Sequence, residues 1–333
     1  MVEPLIRDIS DTARWVAVYR ARETDRPDAA FQDPFARALA GERGERIAAS
    51  LADANMEWSM VARTYAFDRL LAKEIESGTD LVVNLAAGLD ARPYRLDLPR
   101  SLRWVEVDLP EILDYKAGVL ANAAPRCILE RIPLDLSNHD ARRGLFANLA
   151  RRASRAVVMS EGLLIYLMAD EVGALASDLR EAGVSDVTAS VGFQRWIIDI
   201  VSPGLLTMIN ERAGEIVRQA GAPFLFGPPE GPVFFERYGW QVLRVRSLLK
   251  TAAALKRLPF FLRLMALLPE GSPPGGSRPW SGVCLLGNSQ VHPTDWRVIS
   301  PQQPAGARRR SASTSASPAA APCRCRRPES DTT

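Results

Sequence analysis

The spacing of apolar residues changes period along the chain. Over residues 9–24, ISDTARWVAVYRARET, Ala13, Val16, Ala17 and Arg20 recur at helical spacing, and Ser10 or Asp11 can cap the first turn. Asp33-Pro34 predicts a second helix, with Asp33 as cap and Pro34 at the first position, punctuated by Gly41 and Gly44. A third helix is predicted over 54–77, ending at Gly78 and carrying Arg63, Tyr65 and Arg69. From residue 80 short apolar runs take over, at 81–85, 104–107, 127–134, 156–161 and 185–191. Runs of this length between turn residues read as strands. Helical segments at 110–120, 140–151 and 170–182 separate them, and this alternation predicts an α/β parallel sheet.

Residues 192–240 break that rhythm. An amphipathic helix near 203–220 is followed by the Gly/Pro-rich FGPPEGP, which reads as a lid-like insertion over the sheet edge. Later strands are predicted at 240–245 and 280–286. Residues 248–268 mix apolar and basic positions, broken by Pro259. They read as a pair of surface helices, with a membrane-binding surface as the alternative. Pro, Gln, Ser, Ala and Arg dominate 288–333, which is expected to be a disordered tail.

Composition narrows the class. A chain of 333 residues with 47% hydrophobic and 24% charged residues can bury a substantial core. No apolar run approaches the roughly 18 residues of a membrane span. The opening MVEPLIRDIS has no apolar core of a secretory signal. Cys127 and Cys284 sit in strand-like runs and are expected to be buried thiols, which fits a reduced, cytoplasmic protein. Cys323 and Cys325 have no neighbouring ligands, so no metal site is expected. The formal net charge is +3, but residues 301–333 hold six arginines against Glu329 and Asp331. The body is therefore close to neutral, which argues against a nucleic-acid-binding face.

Candidate chemistry begins between Asp80 and Pro110. The run Leu81–Leu85, the small turn Ala86-Ala87-Gly88, a helix-like segment and the run Trp104–Val107 read as one βαβ unit, which opens a crevice at the strands' carboxyl ends. Asp108 closes the second run about twenty residues after Gly88, where an acid can accept both hydroxyls of a ribose. The dinucleotide frame would need glycine where Ala86 stands. Asp90 falls at the start of the next helix, where a phosphate would otherwise bind. A carboxylate there suits a ribose-bearing ligand with no phosphate and a positive centre, as in S-adenosylmethionine; it is also an ordinary N-cap. Asp135 and Glu161 follow the next two strand-like runs. With Asp108 they would converge on one crevice, Asp135 near the adenine amino group and Glu161 near the methionine end.

Taken together, DTARWVAVYRARE, FQDPFARALAG, VVNLAAGLDARPYRLDLP, WVEVDLPEILDYK, SEGLLIYL and FGPPEGPVFFERYGW resemble the leucine carboxyl methyltransferase-like family of S-adenosylmethionine-dependent O-methyltransferases, in its actinobacterial branch. The likeness runs over about residues 8–287. It implies a class I methyltransferase (Rossmann-like) seven-stranded sheet, with helices on both faces and the last strand antiparallel. A helical cap over 1–79 and a core over 80–287 follow from it. It also implies that Gly88 lines the cofactor loop, that Asp108 holds the ribose, that Asp135 and Leu136 flank the adenine, and that Glu161 lies near the methionine portion. Arg63, otherwise read as a solvated charge, matches the arginine that binds the cofactor carboxylate. Ala86-Ala87-Gly88 departs from the family's Gly-Ala-Gly, adding a methyl beside the cofactor.

The expected activity is S-adenosylmethionine-dependent O-methylation of a carboxylate or hydroxyl on a small molecule, a lipid or secondary metabolite. A carboxylate acceptor requires no general base, and the only histidines, His139 and His292, lie outside every motif. No catalytic residue is assigned. Tyr166 and Arg195 are candidates for the acceptor pocket, against the plainer readings of a core aromatic and a surface charge. The rival readings are an NAD(P)-dependent oxidoreductase, disfavoured by Ala86 and Asp90, and a catalytically silent cofactor-binding relative.

Overall fold

The computed structural model describes residues 9–51, 56–182, 192–219, 223–268 and 276–288. Three helices lead: α1 (Ile9–Thr24), α2 (Ala36–Ser50) and α3 (Glu57–Glu76). The strands are β1 (Leu81–Leu85), β2 (Arg103–Asp108), β3 (Ile128–Pro133), β4 (Ala156–Ser160), β5 (Phe193–Val201), β6 (Trp240–Ser247) and β7 (Ser281–Asn288). Between them run α4 (Arg92–Arg95), α5 (Pro110–Val119), α6 (His139–Ala150), α7 (Ala169–Glu181), α8 (Pro203–Gln219), α9 (Leu248–Ala254) and α10 (Phe260–Arg263). The sheet order is β3-β2-β1-β4-β5-β7-β6. β1 to β5 pair in parallel, and β7 runs antiparallel to both β5 and β6. This is the seven-stranded α/β sheet with an antiparallel last strand that the sequence led us to expect.

The central strands are buried on both faces, which is why they read as near-continuous apolar runs. On one face Phe146 and Leu149 of α6 and Leu175 and Leu179 of α7 pack with Trp196, Phe235 and Trp240. On the other, Phe67, Leu70 and Leu71 of α3 and Leu248 and Ala252 of α9 cover Trp104, Val157 and Ile197. A third cluster joins α1, α2 and α5 through Trp15, Val18, Leu39, Ile47 and Ile112. Cys127 and Cys284 are buried thiols. Among the described residues no helix is long and apolar enough to cross a membrane.

Three expectations change. The strand read at 185–191 lies outside the described residues except for its neighbourhood, and β5 occupies 193–201. That run, FQRWIIDIV, is buried along nearly its whole length. A strand covered on both faces shows no polar–apolar alternation, so its pattern alone reads as part of an insertion beginning at 192. The segment after Gly88 forms only the single turn α4, because Pro93 and the extended Leu96 leave no room for more. In α2 the backbone at Gly41 leaves helical geometry (φ 60°), so the predicted punctuation is a kink within one helix. The tail expected to be disordered, 288–333, lies outside the described residues beyond Asn288.

Candidate functional site

A cavity of about 850 Å³ opens at the carboxyl ends of the parallel strands, where an open α/β sheet places ligands. Its floor is the turn after β1. Ala86 and Gly88 adopt left-handed φ of 51° and 45°, which brings the turn's backbone toward the end of β2. There Gly88 N–H donates to Asp108 Oδ2 (2.6 Å) and Leu109 N–H donates to Asp108 Oδ1 (2.8 Å). A Cβ on Gly88 would stand 3.3 Å from the Ala13 Cβ, so glycine here suits the positive φ and spares a tight contact. Burial pushes the Asp108 carboxyl up, against the two backbone donors that stabilise its charge.

Beside the turn lies a network of buried ion pairs. Arg92, 2% exposed, reaches Asp68 (2.6 Å), Asp90 (3.0 Å) and Glu161 (2.8 Å). Arg63 of α3 reaches Glu161 and Asp199, each at 3.2 Å. Asp199, near the end of β5, also accepts from Gly162 N–H at 2.7 Å. Gly162 itself has φ 70°, and a Cβ there would meet the Arg63 guanidinium at 3.2 Å. Burial opposes charge on Arg63, Asp68, Asp90, Arg92 and Asp199. In Arg63 the carboxylates of Asp199 and Glu161 outweigh it and hold the guanidinium firmly protonated. In Asp199 burial wins and the carboxyl is pushed up. Burial also works against the Asp90 charge, but Arg92, Lys116 and Arg95 overcome it and hold that carboxyl down to about 2.

At this polar end four carboxylates, Asp90, Asp108, Glu161 and Asp199, face two guanidiniums, Arg63 and Arg92. Arg20, also on the wall, is held by Asp33 (2.8 Å) and the Leu89 carbonyl (2.6 Å). The donors at the start of α4 are occupied as well, since Arg92 N–H is taken by Asp90 Oδ1 (2.9 Å). A phosphate would meet repulsion and no free helix-terminal donor there; a cationic, phosphate-free ligand meets an excess of negative charge. The residues present therefore fit S-adenosylmethionine and do not fit a pyrophosphate.

The opposite end is largely apolar, although Arg212 and Arg278 also line the cavity. Leu205, Met208 and Ile209 of α8 face Ile165 and Phe224, and Tyr166 packs on Phe224 with ring centroids 5.4 Å apart. The Tyr166 hydroxyl lies between the two ends and donates to Thr12 Oγ1 at 3.3 Å. Burial raises its pKa, so at neutral pH it is a protonated donor and not a base. Among the described lining residues there is no histidine.

Of the residues singled out in the sequence, Arg63, Gly88, Asp108, Glu161 and Tyr166 share this one wall. Asp135 and Leu136 do not. Asp135 is exposed and caps its own loop by accepting from Ser137 N–H (2.9 Å), while Leu136 packs under the sheet. Arg195 is corrected: it lies near the amino end of β5, away from the cavity, buried beside Glu74 at 3.6 Å. The N-cap of α4 is Ala91 and not Asp90, although Asp90 accepts from Arg92 N–H at the helix start and belongs to the ion network. The sequence reading missed Asp199, Arg92 and Asp68. Asp199 carried a usable signal, an acid inside the apolar run WIIDIV, where a charge survives only if paired.

The family model described as leucine carboxyl methyltransferase matches residues 13–180. A protein of Frankia alni named as an S-adenosyl-L-methionine-dependent methyltransferase is 34% identical over 257 residues, covering 74% of this chain and 88% of that one. A protein of Streptomyces coelicolor with the same kind of name is 31% identical over 280 residues, covering 80% and 92%. Among solved structures, a DUF574 family protein from Streptomyces avermitilis superposes with a TM-score of 0.56 over 83% of this chain and 97% of that one. At 13% identity that likeness concerns the fold alone.

Proposed function

Since the chain belongs to the leucine carboxyl methyltransferase family and is an S-adenosylmethionine-dependent methyltransferase, we propose that it methylates an oxygen, foremost a carboxylate, of an apolar small molecule. The observation that carries this reading is the division of one cavity into a carboxylate-rich end and a largely apolar end, with no histidine among its described lining residues. When bound, S-adenosylmethionine supplies a methyl group already activated on a sulfonium. The protein's own contribution is then to hold both partners in line and keep water out.

Gly88 and Asp108 would hold the ribose. Each Asp108 oxygen has one lone pair engaged by a backbone N–H and one left for a hydroxyl. Arg63 would take the cofactor carboxylate, kept in place by Asp199 and Glu161. The surplus charge of Asp90, Glu161 and Asp199 would favour the cofactor's cationic centres. Asp135 and Leu136 stand off the cavity wall, so an adenine contact from them is not part of this proposal. With acceptor bound, Tyr166 would turn its hydroxyl from Thr12 Oγ1 to the acceptor oxygen and orient it, while Met208, Ile209 and Phe224 enclose an apolar body. A carboxylate is favoured over a phenol or alcohol because it is already ionised, and the wall carboxylates other than Asp108 are committed to arginine.

The test is transfer of a labelled methyl group from S-adenosylmethionine to a panel of fatty and aromatic carboxylic acids, phenols and amines. Base-labile ester products from apolar acids are expected. Transfer confined to amines, or to polar acceptors, would refute the reading. Tyr166→Phe removes one hydrogen bond and should lower kcat/KM for the acceptor about five- to tenfold, with cofactor affinity unchanged.

A further inference from the structure

The segment after α9 exposes far more apolar surface than a folded monomer ordinarily leaves in one place. Phe260 is 83% exposed, Leu264 73% and Leu267 80%, and Phe261, Met265 and Leu268 are at least half exposed. These six side chains fall within nine consecutive residues, on α10, the 3₁₀ turn Met265–Leu267 that follows it, and the residues Leu264 and Leu268 that flank that turn. The same segment borders the cavity, since Phe261, Leu262, Met265 and Leu268 also line its wall. The exposed patch is thus continuous with the apolar end of the site.

The stretch that carries the patch is basic. Between Glu236 and Glu270 the chain carries seven basic residues and no acidic one. Arg237 is paired with Glu230, and Arg257 with Glu23 and Asp28. Lys250, Lys256 and Arg263 are exposed. On the neighbouring elements, Lys73 and Arg69 of α3 lie close to Arg244 and Arg246 of β6; burial and then these like charges push the Lys73 ammonium down. Exposed apolar residues in one short segment with the exposed cations Lys250, Lys256 and Arg263 are the composition of an interfacial segment. Its apolar side chains enter the headgroup boundary while the cations meet anionic headgroups.

We propose that residues 260–268 dock the enzyme on an anionic lipid surface, with the cavity mouth at the interface. In that position an apolar acceptor dissolved in the lipid reaches the site without crossing water. The docking itself is read from the patch; only the route of the acceptor rests on the proposed apolar substrate. The cavity-lining side chains of the segment and its purely exposed ones are different residues, so docking and cofactor binding are separable by substitution.

The experiment is co-sedimentation of the full chain with vesicles of phosphatidylcholine alone, and of phosphatidylcholine mixed with phosphatidylglycerol, at low and high salt. The triple variant Phe260→Glu, Leu264→Glu, Leu267→Glu is compared, none of whose positions lines the cavity. The wild type is expected to bind the anionic vesicles, more weakly at high salt. The variant should bind about tenfold or more weakly, while its titration with S-adenosylmethionine stays unchanged and certifies the fold. Three results would overturn the proposal: no binding by the wild type, equal binding by the variant (which would assign it to the arginines of 301–333), or a wild-type dimer abolished by the variant and indifferent to vesicles. None of these bears on methyl transfer to soluble acids, so the two readings fail separately.

Discussion

At the residue scale, Asp108 shows how a single side chain serves two ends. It ties the turn at Gly88 to the end of β2 and still turns lone pairs toward the cavity. Asp108→Ala should weaken S-adenosylmethionine binding by roughly 1.5–3 kcal/mol in calorimetric titration, the loss of a charged acceptor. An unchanged affinity would remove it from the site. Asp90 makes a prediction about pH. Its carboxyl falls from the ordinary 3.8 to about 2 on folding. A depressed carboxyl contributes stability that is present above the unfolded value and is lost as pH falls through the folded one. The window is therefore about pH 4 down to 2, and the contribution is roughly 2 kcal/mol. Asp90→Asn should be less stable by about that amount at neutral pH and should show a shallower loss across the window in chemical denaturation.

At the element scale, α4 is too short to hold itself and is held by its arginines. The side chains of Arg92 and Arg95 are buried, and both bond to Asp68 on α3, Arg95 through two hydrogen bonds of 2.8 Å. Breaking such a pair from one side leaves buried cations short of a partner. Asp68→Ala should cost about 3 kcal/mol, seen as a lower denaturation midpoint, and should weaken cofactor binding by loosening Arg92 from Glu161. Nothing local in RPYR announces this; a four-residue turn bristling with arginine reads as solvent-facing until α3 is placed against it. By contrast α1 and α3 were legible from local signals, Ser10 and Asp11 before the one and Gly78 after the other, although packing covers both on most sides. β5 was not, because burial on both faces erases the period that identifies a strand.

At the scale of the whole molecule, ligand binding and stability are linked. Ion pairs joining α3, the turn after β1 and the ends of β4 and β5 all meet at one cavity. A ligand completing that end should stabilise the fold as a unit. S-adenosylmethionine at about a hundredfold excess over its Kd should add about 2.7 kcal/mol, a clear rise in Tm, and NAD or NADP at the same concentration should add none. Equal shifts with a nicotinamide cofactor would contradict the charge argument made for Asp90.

The sequence by itself determined the α/β sheet, its antiparallel last strand through family resemblance, the family, and the convergence of Gly88, Asp108, Glu161 and Arg63. These are consequences of short-range pattern: strand ends, a glycine turn and motif identity are written locally. Tertiary structure alone decided which charges pair. Asp199 and Arg63 are 136 residues apart and Arg63 and Glu161 are 98 apart. It also sent Arg195 to the far end of β5, where Glu74 neutralises it, and left Asp135 outside the cavity. A buried charge is tolerated only where a partner meets it, and partners this distant in sequence are fixed by packing, not by spacing along the chain.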